Sequence, residues 1–147
     1  MSYLLDTNVI SEVVRPRPSA SVLAWMEIQR PAELFLAAQT LGELTRGARK
    51  LPDEDRRARL ERWIEVDLAR QFDGRLLPFD TAAARIWGRL MGDGDRVGRT
   101  PPAADAQIAA VALSSRLTLV TRNTKDFERF DLALIDPWRA PRGKAPR

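Results

Sequence analysis

Residues 3–12 read Tyr3-Leu4-Leu5-Asp6-Thr7-Asn8-Val9-Ile10-Ser11-Glu12. Tyr3-Leu4-Leu5 is a short buried strand, and it ends on the carboxylate of Asp6. That ending matters because in an open parallel α/β sheet ligands bind beyond the carboxyl ends of the strands. Downstream the chain keeps alternating short apolar runs with longer amphipathic ones. Ser19 caps a helix to about Gln29, with Val22, Leu23 and Met26 on one face. Leu34–Ala37 is a second strand, and Thr40 opens a helix carrying Leu41, Leu44 and Ala48. Pro52-Asp53 punctuates, with Asp53 as N-cap, before a helix with Leu60, Trp63, Ile64 and Leu68 at helical spacing. Leu76–Phe79 is a strand whose Pro78 points to an edge or irregular position.

Asp80 then caps a helix bearing Ile86, Trp87, Leu90 and Met91. Gly92 to Pro102, rich in Gly, Asp, Arg and Pro, reads as a loop. A helix from about Ala104 to Ser115 precedes the strand Leu117–Thr121, and Leu132–Ile135 is the last strand. Strand–helix alternation predicts an α/β fold with a parallel sheet and helices on its faces. No repeat or internal boundary appears. The reading is one domain over residues 1–138 and a basic, proline-rich, disordered tail over 139–147. The tail reads as solubilising, with nucleic-acid contact as the second reading.

The chain of 147 residues has no cysteine and no histidine. Disulfides, thiolate nucleophiles, Ser-His-Asp triads and histidine-held zinc are all excluded. Any catalysis must use carboxylates, hydroxyls, amines or an oxygen-held metal. The net charge is +4, and all the bases but Lys50, Lys125 and Lys144 are arginines. Guanidinium forks match phosphate oxygens; an arginine-biased solvated surface explains the same composition. The N-terminus lacks a basic start before its apolar stretch and carries acids within it, unlike a signal peptide. No apolar run approaches the roughly 20 residues that span a membrane, so the expected location is the cytoplasm.

Four acids fall where a parallel sheet places ligands. Asp6 ends the first strand. Glu43 lies in the first turns of the helix after the second. Asp105 sits in the first turn of the helix after the Gly–Pro loop, and Asp126 follows the strand Leu117–Thr121. Taken singly, each also reads as a capping residue, since acids favour helix N-termini by about 0.3–1 kcal/mol. Taken together, four carboxylates in one crevice repel, so a proton or a cation must relieve them. Mg²⁺ and Mn²⁺ choose oxygen ligands and need no histidine or cysteine.

These segments resemble known motifs. LLDTNVISE at 4–12 resembles the opening motif of PIN-domain proteins, especially VapC-like toxins of type II toxin–antitoxin pairs. TLGELTRGA at 40–48, ADAQIAAVAL at 104–113 and LVTRNTKDF at 119–127 resemble the second, third and fourth motifs. The resemblance runs from residue 3 to about residue 138. It implies a three-layer α/β/α domain with a central parallel sheet and Mg²⁺- or Mn²⁺-dependent endoribonuclease activity. By match, Asp6, Glu43, Asp105 and Asp126 are metal ligands, directly or through water. Thr7 and Asn8 support the first acid, and Asn123 holds the fourth motif. The second motif departs from the family where a serine is often found, in Ala37-Ala38-Gln39.

The resemblance also implies an RNA substrate, a cognate antitoxin, and a homodimer or toxin–antitoxin hetero-oligomer. The Leu60–Trp63–Ile64 helix and the segment around Trp25 are candidates for the antitoxin groove; burial in the core explains them equally. Arg46, one turn after Glu43, leads as a phosphate contact, with Arg122 and Lys125 next. Solvation explains each of these as well. The four tryptophans read as core or interface residues before base-stacking platforms. Two rival readings remain: a PIN fold that only binds RNA or a partner, and a haloacid-dehalogenase-like phosphatase. The phosphatase needs a second acid two residues after Asp6, where this chain has Asn8.

Overall fold

The computed structural model describes residues 1–139. Its centre is a five-stranded, all-parallel sheet in the order β3-β2-β1-β4-β5. The strands are β1 (Tyr3–Leu5), β2 (Leu34–Ala37), β3 (Leu76–Leu77), β4 (Thr118–Val120) and β5 (Leu134–Ile135). β3 is at the edge, as Pro78 predicted. β1 pairs with β2 on one side and β4 on the other, Leu4 opposite Phe35 and Leu119.

The strands are nearly continuous apolar runs because both faces are covered. Side chains alternate between two cores, as strand geometry requires. Leu4, Ala37 and Leu119 face one core. Leu5, Leu36 and Val120 face the other. The first core is closed by α6 (Thr81–Arg96) and α7 (Ala103–Ser114), which bring Ala83, Ala106, Ala109 and Ala110 against the sheet. The second is closed by α1 (Thr7–Val13), α2 (Ala20–Glu27) and the long helical segment after residue 54. The result is the expected α/β/α sandwich. α3 (Ala38–Arg49) follows β2, and the short α8 (Thr124–Phe127) follows β4. Among the described residues, no helix is long and apolar enough to cross a membrane.

Several boundaries differ from the sequence reading. α1 begins immediately after Asp6, where no helix was read. Its Thr, Asn, Val and Ile residues are poor helix formers. The helix stands on Asp6 as its N-cap and on the burial of Val9 and Ile10. α3 opens at Ala38 rather than Thr40. The helix from Asp80 does not stop at Gly92 but continues to Arg96. There Gly94 lets the returning loop close in: a Cβ on it would lie 2.6 Å from Pro101 Cδ and 2.7 Å from the Arg99 carbonyl oxygen. The segment after Asp53 comprises α4 (Glu54–Arg62), a π-helical stretch over Trp63–Leu68, and α5 (Ala69–Gln71). That stretch buries Ile64 and Leu68. Trp25 is core, edge-to-face with Tyr3 at 5.1 Å, and so forms no groove. Arg139 closes a 3-10 turn, Pro137–Arg139; the rest of the expected tail lies outside the described residues.

Candidate active site

After β1 the chain crosses to β2 on one side, and later returns with β4 on the other side. This reversal opens a crevice at the carboxyl ends of β1 and β4, the switch point of an open α/β sheet. A cleft of about 410 Å³ lies there. Asp6, Glu43 and Asp105 all line it, together with Thr7, Asn8, Glu12, Arg15, Arg122, Asn123 and Trp138.

Asp6 is buried and held at both carboxylate oxygens. The Thr7 amide donates to Oδ1 at 2.8 Å. The Thr121 hydroxyl donates to Oδ2 at 2.8 Å, and Asn8 Nδ2 donates to the same oxygen at 3.4 Å. Thr121, itself fully buried, has its own oxygen filled by Asn8 Nδ2 at 3.3 Å and the Asn123 amide at 3.1 Å. One hydroxyl therefore ties the end of β1 to the turn after β4. Asn8 Oδ1 accepts from the Arg122 amide at 3.3 Å and closes the same link. Thr7 and Asn8 thus contact Asp6 directly, whereas Asn123 reaches it only through its backbone amide and Thr121.

Glu43 is placed by Thr7, whose hydroxyl donates to Oε1 at 2.8 Å. That hydroxyl has one proton, so the buried Thr40 hydroxyl, 3.3 Å away, donates to Thr7 rather than receiving from it. Asp105 sits in the first turn of α7, where the helix dipole favours a carboxylate. Even so, burial and the charges of Asp126 and Glu43 push its carboxyl above the ordinary range. Asp6 is raised too, mainly by burial; Glu43 and Asp105 add to the effect while the Thr121 and Thr7 hydrogen bonds oppose it.

Asp126 stands apart. It lies in an adjoining depression with Lys125, Arg99 and Arg129, and Asp105 forms the wall shared with the main cleft. Arg122 lines the main cleft, whereas Arg46 is exposed on α3 and lines none of these hollows. Two cleft residues escaped the sequence reading. Glu12 is buried, accepting from the Ser19 amide at 2.8 Å and from Arg15 Nη1 at 3.3 Å. The signal for them was the stretch after Asp6, which becomes legible only when read as a helix.

Four carboxylates, Asp6, Glu12, Glu43 and Asp105, line the main cleft beside two arginines and no lysine, and neighbouring acids add to the burial that raises Asp6 and Asp105. That surplus of oxygen donors and negative charge fits Mg²⁺ or Mn²⁺. Among the described residues no group of three or more acids is arranged as a set that could hold a metal ion by itself. Mg²⁺ does not require one, since it keeps several waters and uses one or two carboxylates.

The chain is 38% identical to the VapC ribonuclease Y4jK of Sinorhizobium fredii over 135 residues, covering 92% of this chain and 96% of that one. Among solved structures it resembles FitAcB from Neisseria gonorrhoeae, with a TM-score of 0.87, 37% identity and coverage of 94% and 99%. It also resembles a toxin–antitoxin complex from Klebsiella pneumoniae, with a TM-score of 0.70, 25% identity and coverage of 92% and 98%. The PIN domain profile matches residues 3–132, and the chain belongs to the PIN-domain family.

Proposed function

We propose that this chain is an endoribonuclease toxin held by a cognate antitoxin, and that it cuts RNA phosphodiester bonds at the Asp6–Glu43–Asp105 cleft with Mg²⁺ or Mn²⁺. The observation that carries the reading is Asp6: a carboxylate buried at a topological switch point, fixed at both oxygens, and facing two further acids across one cleft. A divalent ion bound there would supply a water of lowered pKa and neutralise charge on the phosphate. Asp6 and Asp105 would hold it directly, with Glu43 and Asp126 acting through water.

The chain's own residues do the rest. Thr121 and the Thr7 amide fix the direction of the Asp6 oxygens, while the Thr7 hydroxyl fixes Glu43. Positioning of this kind is worth keeping rigid, because small misplacements of reacting groups cost orders of magnitude in rate. Arg15 and Arg122 flank the acids and are the arginines placed to meet backbone phosphates. They supply the positive charge that an RNA chain needs beside an acidic centre.

A second hollow of about 750 Å³ adjoins the cleft at Thr7, Ser11, Arg15 and Glu43. Val14, Leu44, Leu60, Trp63 and Ile64 line it, with Arg56 and Arg59 among its walls. An apolar groove opening onto the acids suits an amphipathic antitoxin segment. This is the groove expected at Leu60–Trp63–Ile64. An RNA substrate and a protein partner of this kind place its action in the cytoplasm.

The test is cleavage of a labelled total-RNA pool by protein freed of antitoxin. Cutting with Mn²⁺ or Mg²⁺ that EDTA and Asp6→Asn both abolish is the expected result. Folded protein that cuts nothing under either metal would leave a binding-only PIN domain. Cutting that survives Asp6→Asn would move the active site elsewhere.

A further inference from the structure

We propose that Trp138 and Arg122 form a nucleobase subsite at the edge of the carboxylate cleft, taking one unpaired base of single-stranded RNA. The proposal rests on the nuclease reading and deepens it. The four tryptophans have different surroundings. Trp25 is buried in the core, and Trp63 lies in the apolar groove. The Trp87 indole donates to the Ala103 carbonyl oxygen. Trp138 alone lines the same cleft as Asp6, Glu43 and Asp105.

Its ring is held firmly. Part of it packs on the core that contains Val22 and Trp25. The Trp138 amide donates to Asp136 Oδ1 at 2.9 Å, and the Ser21 hydroxyl on α2 donates to the Pro137 carbonyl oxygen at 2.7 Å. The Arg122 guanidinium lies over the indole, 5.1 Å from the ring centroid. Arg122 forms no ion pair among the described residues, although four carboxylates share its cleft. Its guanidinium is engaged by a ring instead. Its backbone is two hydrogen bonds from Asp6, through Asn8. The pair is therefore a rigid aromatic–guanidinium surface beside the first carboxylate.

Unpaired RNA bases stack on aromatic rings and on arginine planes. A phosphate alone would need the cation but not the indole. Both residues line the cleft of the acids, and the plane a neighbouring base would stack on is the Arg122 guanidinium, backed by the Trp138 indole.

The experiment measures binding of a short fluorescent single-stranded RNA, and of an abasic strand of equal length and charge, by anisotropy. Each is measured in EDTA and again with Ca²⁺. Trp138→Ala is expected to weaken the base-containing strand about 5- to 150-fold. Trp138→Phe should retain most of the affinity. Trp138→Leu, which keeps an apolar side chain on the core, should lose it like alanine. The abasic strand should bind wild type and all Trp138 variants alike. Arg122→Ala should lower the salt slope by about 0.7, while Trp138→Leu leaves the slope unchanged. Variants that bind the base-containing strand like wild type, or that lose the abasic strand equally, would overturn the subsite. If the same wild-type preparation still cuts RNA with Mn²⁺, only the subsite falls. Wild type that neither binds nor cuts RNA would take the nuclease reading with it.

Discussion

Thr121→Val is the substitution that isolates what holds the candidate active site together. Valine matches threonine in shape, so the fully buried pocket around residue 121 keeps its packing. What is lost is one hydroxyl that donates to Asp6 Oδ2 at 2.8 Å and accepts from Asn8 and the Asn123 amide. A hydrogen bond to a charged group contributes about 1.5–3 kcal/mol, and a neutral one about 0.5–1.5 kcal/mol. Asp6 already has a raised carboxyl pKa, so it costs the fold stability once pH rises above the ordinary carboxylate range and it must ionise in place. The Thr121 hydrogen bond limits that cost; without it the folded pKa climbs further. The variant's deficit is therefore largest at neutral pH and shrinks as pH falls and Asp6 takes up its proton. Unfolding by urea at pH 7.5 should show a loss of about 1.5–3 kcal/mol, falling to about 0.5–1.5 kcal/mol near pH 4. For a chain of this size the loss at pH 7.5 lowers the melting temperature by about 3–12 °C. A deficit that is constant with pH, or below about 0.5 kcal/mol throughout, would refute the claim that Thr121 serves the ionised Asp6.

Three further outcomes are expected. Gly94→Ala should destabilise by about 1–3 kcal/mol in thermal unfolding, although alanine favours helices by up to about 1 kcal/mol, because its Cβ collides with Pro101 and the Arg99 carbonyl. Glu12→Ala should cost about 1–3 kcal/mol in urea unfolding, since it strips the Ser19 amide of its acceptor and frees Arg15. Asp6→Asn should raise stability at neutral pH when no divalent ion is present, because it removes a buried charge whose pKa is already raised. Melting in EDTA checks this, and a lower melting temperature than wild type contradicts it.

Much of the fold was legible because strands buried on both faces are apolar runs between polar breaks, and Leu4-Leu5 and Leu117–Val120 are such runs. Asp53 and Asp80 cap the helices they were expected to cap. The misses have local causes. The helix after Asp6 is made of poor helix formers and exists through tertiary burial, which propensity does not reveal. Gly92 and Gly94 read as loop residues, yet Gly94 is there for close packing rather than for a turn. For the acids, chain position alone indicated that Asp6, Glu43 and Asp105 meet in the crevice beyond the strand ends, and they line one cleft. Arg46 follows Glu43 by one helical turn but lines none of the three hollows. Trp138 could not be distinguished from the other three tryptophans by composition; only the sheet topology brings it beside Asp6.

The central claim is that the Asp6–Glu43–Asp105 cleft is a divalent-ion site, and direct titration of Mn²⁺ into antitoxin-free protein tests it. The account predicts saturable Mn²⁺ binding to wild type that Mg²⁺ displaces and that Asp6→Asn largely removes, with the variant still folded. Wild type that binds no Mn²⁺, or Asp6→Asn that binds it as tightly as wild type, would contradict it.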